Sequence, residues 1–352
     1  MELFFWITGI IGIVVTALPL SKSDRWWVRV FDFPRLQILA LLVVSVVGIS
    51  AFALSRPFST PDWAFASLLV LSLVYQCYMM FPYTPFARKQ VEQSVQAKNG
   101  STVSLLFSNV LMQNQKFEGL LRSVRDSDPD IVLTVETNEW WRDKLSGLEE
   151  EYQYTVLQPQ ENEYGMLLYS RLPLSDASVK FLVDDEIPSI HATAHLPSGH
   201  EVELRCLHPR PPFPTEDATA TDRDAEVLIV GREIKGHVTG PAIVFGDLND
   251  VAWSRTNYLF QNISGLLDPR IGRGFYNTFH AFYPAIRFPL DHFFHSKHFR
   301  LVDFRRLPYY GSDHFPVYIK LSIEGDAPAH QEELQAQSEE VAEAKEKIEK
   351  AV

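Results

Sequence analysis

Residues 242–249 read Ala242-Ile243-Val244-Phe245-Gly246-Asp247-Leu248-Asn249. A short apolar run bounded by a glycine is the pattern of a buried strand. A carboxylate and an amide, groups that bind a metal or a phosphate, follow it at once. The same order recurs outward along the chain. Leu204-Arg205-Cys206-Leu207 gives His208, Pro289-Leu290 gives Asp291-His292 before Phe293-Phe294, and Gly311-Ser312 gives Asp313-His314 before Phe315-Pro316-Val317. Carboxylates, an amide and imidazoles delivered at strand edges can converge on one metal ion and one phosphate.

Composition sets the frame. The chain has 352 residues and a net charge of -12, with no lysine/arginine run in its globular part. Non-specific nucleic-acid binding rests on a basic surface, so nucleic acid is not the favoured partner. The two cysteines lie in an apolar segment (Cys77) and a strand-like run (Cys206), so both read as small buried hydrophobes and no disulfide framework is indicated.

The first third is unlike the rest. Leu3–Leu20, Leu36–Leu54 and Ala64–Phe81 are apolar, uncharged stretches long enough to cross ~30 Å of hydrocarbon as helices. The first follows Met1-Glu2 with no basic n-region, which fits a cleaved signal peptide poorly. Trp26, Trp27, Trp63 and Tyr83 flank the spans as interfacial aromatics do. Residues 1–84 are therefore predicted to be a membrane anchor of three transmembrane helices. Lys22, Arg25, Arg29 and Arg35 in the first loop, with Arg88, Lys89 and Lys98 after the third span, face only Arg56 on the other side. That bias puts the globular part in the cytoplasm; an extracytoplasmic placement is the alternative.

Residues 85–101, with Pro85 and Gly100, read as a linker. From Thr102 strands and helices alternate, with Asp217–Ile234 the longest helical pattern, so 102–323 reads as an α/β domain. Residues 324–352 are acid-rich, with Glu343/Lys347 and Glu346/Lys350 at i,i+4 spacing and no apolar stripe. A solvated, mobile tail is expected there. His191 and His195 invite a zinc reading, but no carboxylate accompanies them as in zinc-protease helices. No Gly-x-Ser-x-Gly motif occurs, which argues against a serine hydrolase.

The ordered motifs of residues 102–322 resemble the endonuclease/exonuclease/phosphatase superfamily of metal-dependent phosphoesterases. They are Ser108-Asn109, the run Asp128–Glu136, Tyr164-Gly165, Leu207-His208-Pro209, Gly246-Asp247-Leu248-Asn249, Leu290-Asp291-His292 and Ser312-Asp313-His314. Leu248 departs from the family's commoner phenylalanine. The resemblance implies a four-layer α/β/β/α sandwich of two mixed sheets whose strand ends share one cleft. It also implies Mg²⁺, or Mn²⁺, held by Glu136, Asn109 and Asp313. Asp247 would position and deprotonate water, and Asn249, if the chain stays extended, would donate to the phosphate. His314 would be a cationic phosphate ligand or a general base, oriented by Asp291, with His208 a second donor. His292, beside Asp291, is expected to point to the other face and serve the core.

The stiff loop His208–Pro214 and the aromatic segment Gly272–Phe288 flank these motifs. The latter is similar to that of a bacterial membrane-anchored branch, where tryptophan often stands at Phe279. The implied activity is hydrolysis of a phosphate ester or pyrophosphate, lipid-linked in the favoured reading, at the bacterial inner membrane. The alternatives are a membrane-localised endonuclease or exonuclease and a non-catalytic phosphate-binding module.

Overall fold

The computed structural model describes residues 1–213 and 217–352; Pro214, the end of the stiff loop, lies outside them. Three long helices open the chain: α1 (Glu2–Ala17), α3 (Arg35–Ala53) and α4 (Thr60–Met80), with the short α2 (Trp26–Arg29) between the first two. Each long one extends to a length and apolarity sufficient to cross a membrane. They pack closely where glycine permits it. A Cβ on Gly48 would lie 2.3 Å from the Phe5 ring, and one on Gly12 2.7 Å from Leu42. Trp6 stacks on Phe65 with centroids 4.0 Å apart. The outer faces carry exposed Ile7, Ile10, Val47, Leu71 and Val74, so the helices are apolar all round, a pattern shared by membrane spans and deeply buried helices. Cys77 lies on such an outer face, against expectation, whereas Cys206 is buried.

Two sheets form the rest. The first has the order β10-β11-β1-β2-β4-β3, and the second β5-β6-β7-β8-β9. In the first, β1 (Thr102–Asn109) runs parallel to β2 (Ile131–Val135) through the crossover helix α5 (Phe117–Ser127). β4 (Met166–Ser170) and β3 (Tyr154–Gln158) extend one side, β11 (Val317–Ile323) and β10 (Phe299–Arg306) the other. In the second, β7 (Glu201–Leu207) runs parallel to β8 (Ala242–Asp247) through α7 (Thr221–His237). β5 (Leu174–Phe181), β6 (Pro188–His195) and β9 (Asp291–His295) complete it. A parallel pair needs a long crossover, so each sheet contains one βαβ unit.

The facing surfaces bury Leu105, Phe107, Leu133, Leu168, Leu204, Phe245, Phe293 and Ile319 in one core. α5 and α6 (Glu139–Leu145) cover the outside of the first sheet around Trp141 and Tyr152. α7 and α8 (Arg255–Ser264) cover the second around Leu228 and Phe260. This is the expected four-layer sandwich. β3, β5 and β10 lie at or near sheet edges and are part-exposed, so their sequences lack the apolar runs that disclose the central strands.

Two further expectations are corrected. The linker is not a free tether: Val91 is fully buried in the main core, and Ser94 N–H and Leu301 N–H donate to the Leu301 and Glu92 carbonyls at 2.7 and 2.9 Å. It thus runs beside the outermost strand, where unpaired backbone groups are available. Nor is the C-terminal segment a solvated tail. After α9 (Ala327–His330), α10 (Ser338–Ala351) packs against α7 and α8 with Ala344 buried. Ala344 and Ile348 join the apolar cluster beneath it, but most of its contact is made by charged side chains, which is why no apolar stripe marks it. Lys347 Nζ donates to Asp224 and Asp24, both at 2.8 Å, and Arg255 pairs with Glu343 at 2.7 Å.

Asp224 is wholly buried, and burial favours its neutral acid. The opposing charges of Lys347, Arg223 and Arg29 are stronger and hold the carboxyl well below its usual range. A carboxyl depressed on folding stabilises the fold above its unfolded pKa of ~4, and this contribution fades as pH falls below that value. Lys347→Met is therefore expected to destabilise the protein by about 1–3 kcal/mol at neutral pH, since the buried carboxylate keeps its arginines. Thermal unfolding of both proteins in detergent should show the difference shrinking below about pH 4.

Candidate active site

The C-terminal ends of the two parallel pairs meet. β1 delivers Asn109 and β2 ends one residue before Glu136; across the sandwich, β7 precedes His208 and β8 ends on Asp247. β9 begins at Asp291, directly opposite Asp247 in the antiparallel register. The turn before β11 supplies Ser312, Asp313 and His314. Gly246 makes the approach of β7 and β8 possible: its φ is +144°, and a Cβ there would lie 2.0 Å from the Leu207 carbonyl oxygen. Glu136 and Asn249 both adopt left-handed backbone, with φ of 59° and 49°. Non-glycine residues accept that cost chiefly where the surroundings hold them for a purpose.

Asn109 Nδ2 donates to Glu136 Oε1 at 2.7 Å and to Asp247 Oδ2 at 3.1 Å. His314 Nδ1 lies 3.1 Å from both Asp291 oxygens, and its Nε2 is 3.5 Å from Asp247 Oδ2. The Asn249 N–H donates to Asp247 Oδ1 at 2.9 Å. All these side chains except Asn249, Glu136 and Asp313 are essentially inaccessible to solvent. The structure therefore gathers the predicted residues, with one correction. Asn249 leaves the extended conformation, and its side-chain amide donates to the Pro209 carbonyl at 3.0 Å. It braces the loop after His208 rather than extending along β8.

Electrostatics divide the groups. Burial opposes a charge on His314, but Asp291 and Asp247 outweigh it and push the pKa up to about 10. His314 is thus an imidazolium at neutral pH. Burial raises Asp247, aided by Asp291 and resisted by His314 and His208. Glu136 is pushed up to about 7 mainly by burial; the Asn109 hydrogen bond opposes this, while Asp313 and Asp247 add to it. Burial lowers His208 to about 4, so it is neutral. Its Nδ1 finds no partner among the described residues, and its ring sits 5.5 Å from Tyr164.

Ligand atoms of Asp247, Asp291 and His314 lie within 4.8 Å of one another, close enough to hold an ion. An imidazolium has no lone pair to offer, so in this protonation state the trio is an ion-paired unit. Glu136 differs: it has no lysine, arginine or histidine salt-bridge partner among the described residues, yet is nearly buried beside Asn109. A carboxylate in that position, with Asp313 near enough to raise its pKa, is suited to a hard divalent cation, which would restore its charged form.

Further groups support the site. Ser312 Oγ donates to the Asn109 carbonyl at 2.8 Å and accepts the His314 N–H at 3.0 Å. Phe279 lays its ring 5.0 Å from that of His314. Arg270 pairs with Asp268 at 2.8 Å and reaches the Asp291 carbonyl at 3.4 Å. Ser312, inside the Ser-Asp-His motif, and Phe279, in the aromatic segment, carried a signal in the sequence, whereas Arg270 carried none. His292 turns away from the cleft to Arg270 and the Asp250 carbonyl. His191 and His195 bond to Ser189 and Ser175.

The family model described as Endonuclease/Exonuclease/phosphatase family matches residues 106–314. No curated protein matches the sequence. Among solved structures, humanized D. rerio TDP2 is 16% identical over 63% of this chain and 99% of its own, with a TM-score of 0.53. The human Nocturnin catalytic domain with bound sulfate is 18% identical over 65% and 97%, with a TM-score of 0.52. A family protein from Bacteroides thetaiotaomicron is 18% identical over 65% and 99%, with a TM-score of 0.50. At these identities the likeness is one of fold.

The tight passage at Gly246 makes a direct test. Gly246→Ala meets both a backbone clash and a φ hostile to side chains, so a loss of about 2–4 kcal/mol is expected. Gly147→Ala, where nothing lies within 4 Å of the added Cβ, should leave stability within about 0.5 kcal/mol. Denaturant unfolding of the two variants reads the contrast.

Proposed function

Since this chain belongs to the endonuclease/exonuclease/phosphatase family, we propose that it is a membrane-anchored, Mg²⁺-dependent hydrolase of a phosphate ester or pyrophosphate carried by a lipid. Residues 1–84 are taken as the anchor and 102–323 as the hydrolase, with Mn²⁺ an acceptable substitute metal. The observation that carries the hydrolase reading is the meeting of Glu136, Asn109, Asp247, Asp291 and His314 at the ends of strands from both sheets.

Glu136 and Asp313 would hold the metal, which supplies charge stabilisation to a phosphoryl oxygen, and Asn109, bonded to Glu136, would orient that shell. Asp247 orients water and accepts its proton. Its Oδ1 is fixed by the Asn249 N–H and its Oδ2 by Asn109, so the carboxylate is aimed before substrate arrives. His314, protonated and oriented by Asp291, donates to the phosphate rather than acting as a base. His208, neutral with a free ring nitrogen, adds a hydrogen bond, and Asn249 holds its loop.

The lipid reading rests on where the aromatic segment lies. Gln37, in the first turn of α3, donates its side-chain amide to the Ala285 carbonyl at 2.7 Å, and Phe33 meets Phe288 edge-on at 5.8 Å. The loop 279–288 thus joins the cleft, through Phe279, to the start of a membrane-spanning helix. Its exposed Phe282, Tyr283 and Ile286 suit an interface between water and lipid. We place the domain on the cytoplasmic side of a bacterial inner membrane. Arg29 and Arg35 are buried in ion pairs, so Lys22, Arg25, Arg88, Lys89 and Lys98 carry that argument.

The full chain in detergent micelles should release phosphate or a phosphorylated headgroup from lipid substrates with Mg²⁺. Chelation should abolish turnover and added Mg²⁺ restore it. Asp247→Asn should lower kcat by about a thousandfold, whereas Glu136→Gln should chiefly raise the Mg²⁺ concentration needed. Cleavage of DNA with no lipid turnover would overturn the lipid assignment in favour of a nuclease.

A further inference from the structure

Three arginines meet beside the interfacial loop. Arg287, Arg305 and Arg306, with Phe275, Asn277 and Phe304, line a cavity of about 550 Å³. In an acidic protein most such groups would find carboxylates. Arg305 does, at 3.3 Å from Asp303. Arg287 and Arg306 have no acidic partner within 4.0 Å among the described residues. Both instead pack on the ring of Phe315, their guanidinium carbons 4.9 and 4.1 Å from its centroid.

The two guanidinium groups are held in place by backbone. Arg306 Nη1 donates to the Asn277 carbonyl at 2.7 Å, and Arg287 Nη2 to the Ala281 carbonyl at 3.0 Å. Each side chain presents five N–H donors, so these contacts leave most of them free. Their like charges also oppose one another, a reason, after burial, that Arg306 is lowered from its usual range. Two pre-set guanidinium forks without a counter-ion are suited to the planar, multivalent acceptors of a phosphate.

Position selects the phosphate's source. Pro284 lines the cavity, and the next residue, Ala285, is the one bonded to Gln37 of α3. On the other side Phe275 packs on Tyr83, immediately after α4, with centroids 6.5 Å apart. The cavity therefore lies at the level where two spans leave the bilayer, flanked by the exposed Tyr283 and Ile286. Basic pockets beside membrane helices take anionic headgroups. We propose that Arg287 and Arg306 form a binding site for the phosphate of an anionic phospholipid of the surrounding membrane, separate from the hydrolytic cleft. The site rests on the membrane reading of the anchor and not on the hydrolase reading. Its occupant would brace the loop that sets Phe279 against His314, since Arg287 and Phe279 belong to one loop and Phe315 follows His314.

The test uses the full chain reconstituted in nanodiscs of phosphatidylcholine with and without phosphatidylglycerol, and native mass spectrometry of the lipids retained on extraction. Wild type should retain phosphatidylglycerol over phosphatidylcholine, and Arg287→Gln/Arg306→Gln should lose that preference by about tenfold. Asp247→Asn should keep it, which separates this site from any failure of the hydrolase reading. Should the double variant not fold by circular dichroism, Arg306→Gln alone, an exposed position, should still weaken the preference. Equal retention by wild type and the folded variants would overturn the proposal. So would arginine-dependent binding of inorganic phosphate, by calorimetry in phosphatidylcholine nanodiscs, without phosphatidylglycerol retention, since the ligand would then be a soluble phosphate.

Discussion

The side-chain amide of Asn109 ties the two sheets together at the cleft. Its two N–H bonds go to Glu136 in its own half and Asp247 in the other. Its Oδ1 accepts from the Leu111 N–H, and its main-chain carbonyl accepts from Ser312 Oγ. One residue thus fixes the spacing between a carboxylate at the first sheet and one at the second, and also seats the turn that carries Asp313 and His314. An aspartate here would set three carboxylates against one another; alanine would leave two buried carboxylates without a shared donor. The neighbouring charges follow from that spacing, since Asp247 held near Asp291 requires a cation between them, and His314 supplies it.

A second chain of polar contacts runs from the cleft to the N-terminal helices. Arg223 donates to the Asn249 carbonyl at 2.8 Å and pairs with Asp250 at 3.1 Å. Arg29, in the loop between the first two spans, reaches Asp250 at 3.5 Å and Asp32 at 3.4 Å. Asp32 binds Arg35, and Arg35 reaches Gln76 within α4 at 3.3 Å. Trp253 and Tyr83 reinforce the joint through the Asp32 and Ala252 carbonyls. Buried ion pairs bring little net stability but fix geometry, because any other arrangement strands a charge. The N-terminal helices and the sandwich domain are therefore one oriented body, with the segment after Asn249 at the junction.

The central strands were legible in the sequence because they are buried on both faces and read as unbroken apolar runs. The site was legible because its residues stand at the ends of those runs. What escaped depended on partners distant in the chain. β5 and β10 are part-exposed, with mixed sequences that resemble loops. α10 is held by Lys347 on a carboxylate more than a hundred positions away, so the local pattern of charges suggested a solvated tail. Val91 enters the core from a segment rich in polar residues. The left-handed turn at Asn249 is set by the Asp247 carboxylate accepting its N–H and by the Pro209 carbonyl accepting its amide, neither of which a strand pattern reveals.

The placement of the cleft then constrains what can reach it. Phe279 flanks His314, and the loop that carries it returns through Phe288 to Phe33 and through Ala285 to Gln37. Phe282, Tyr283 and Ile286 on that loop remain exposed, although Phe282 meets Tyr309 and Tyr283 meets His280, and such exposure is unfavourable in water. If the substrate is carried by a lipid, as proposed, the edge of a bilayer would cover the same surface, and an acyl chain would lie along the loop while its phosphate faces the charged groups. On the proposed lipid reading, the loop's contact with α3 and the ionic joint behind it would hold the reacting phosphate at a fixed height above the membrane.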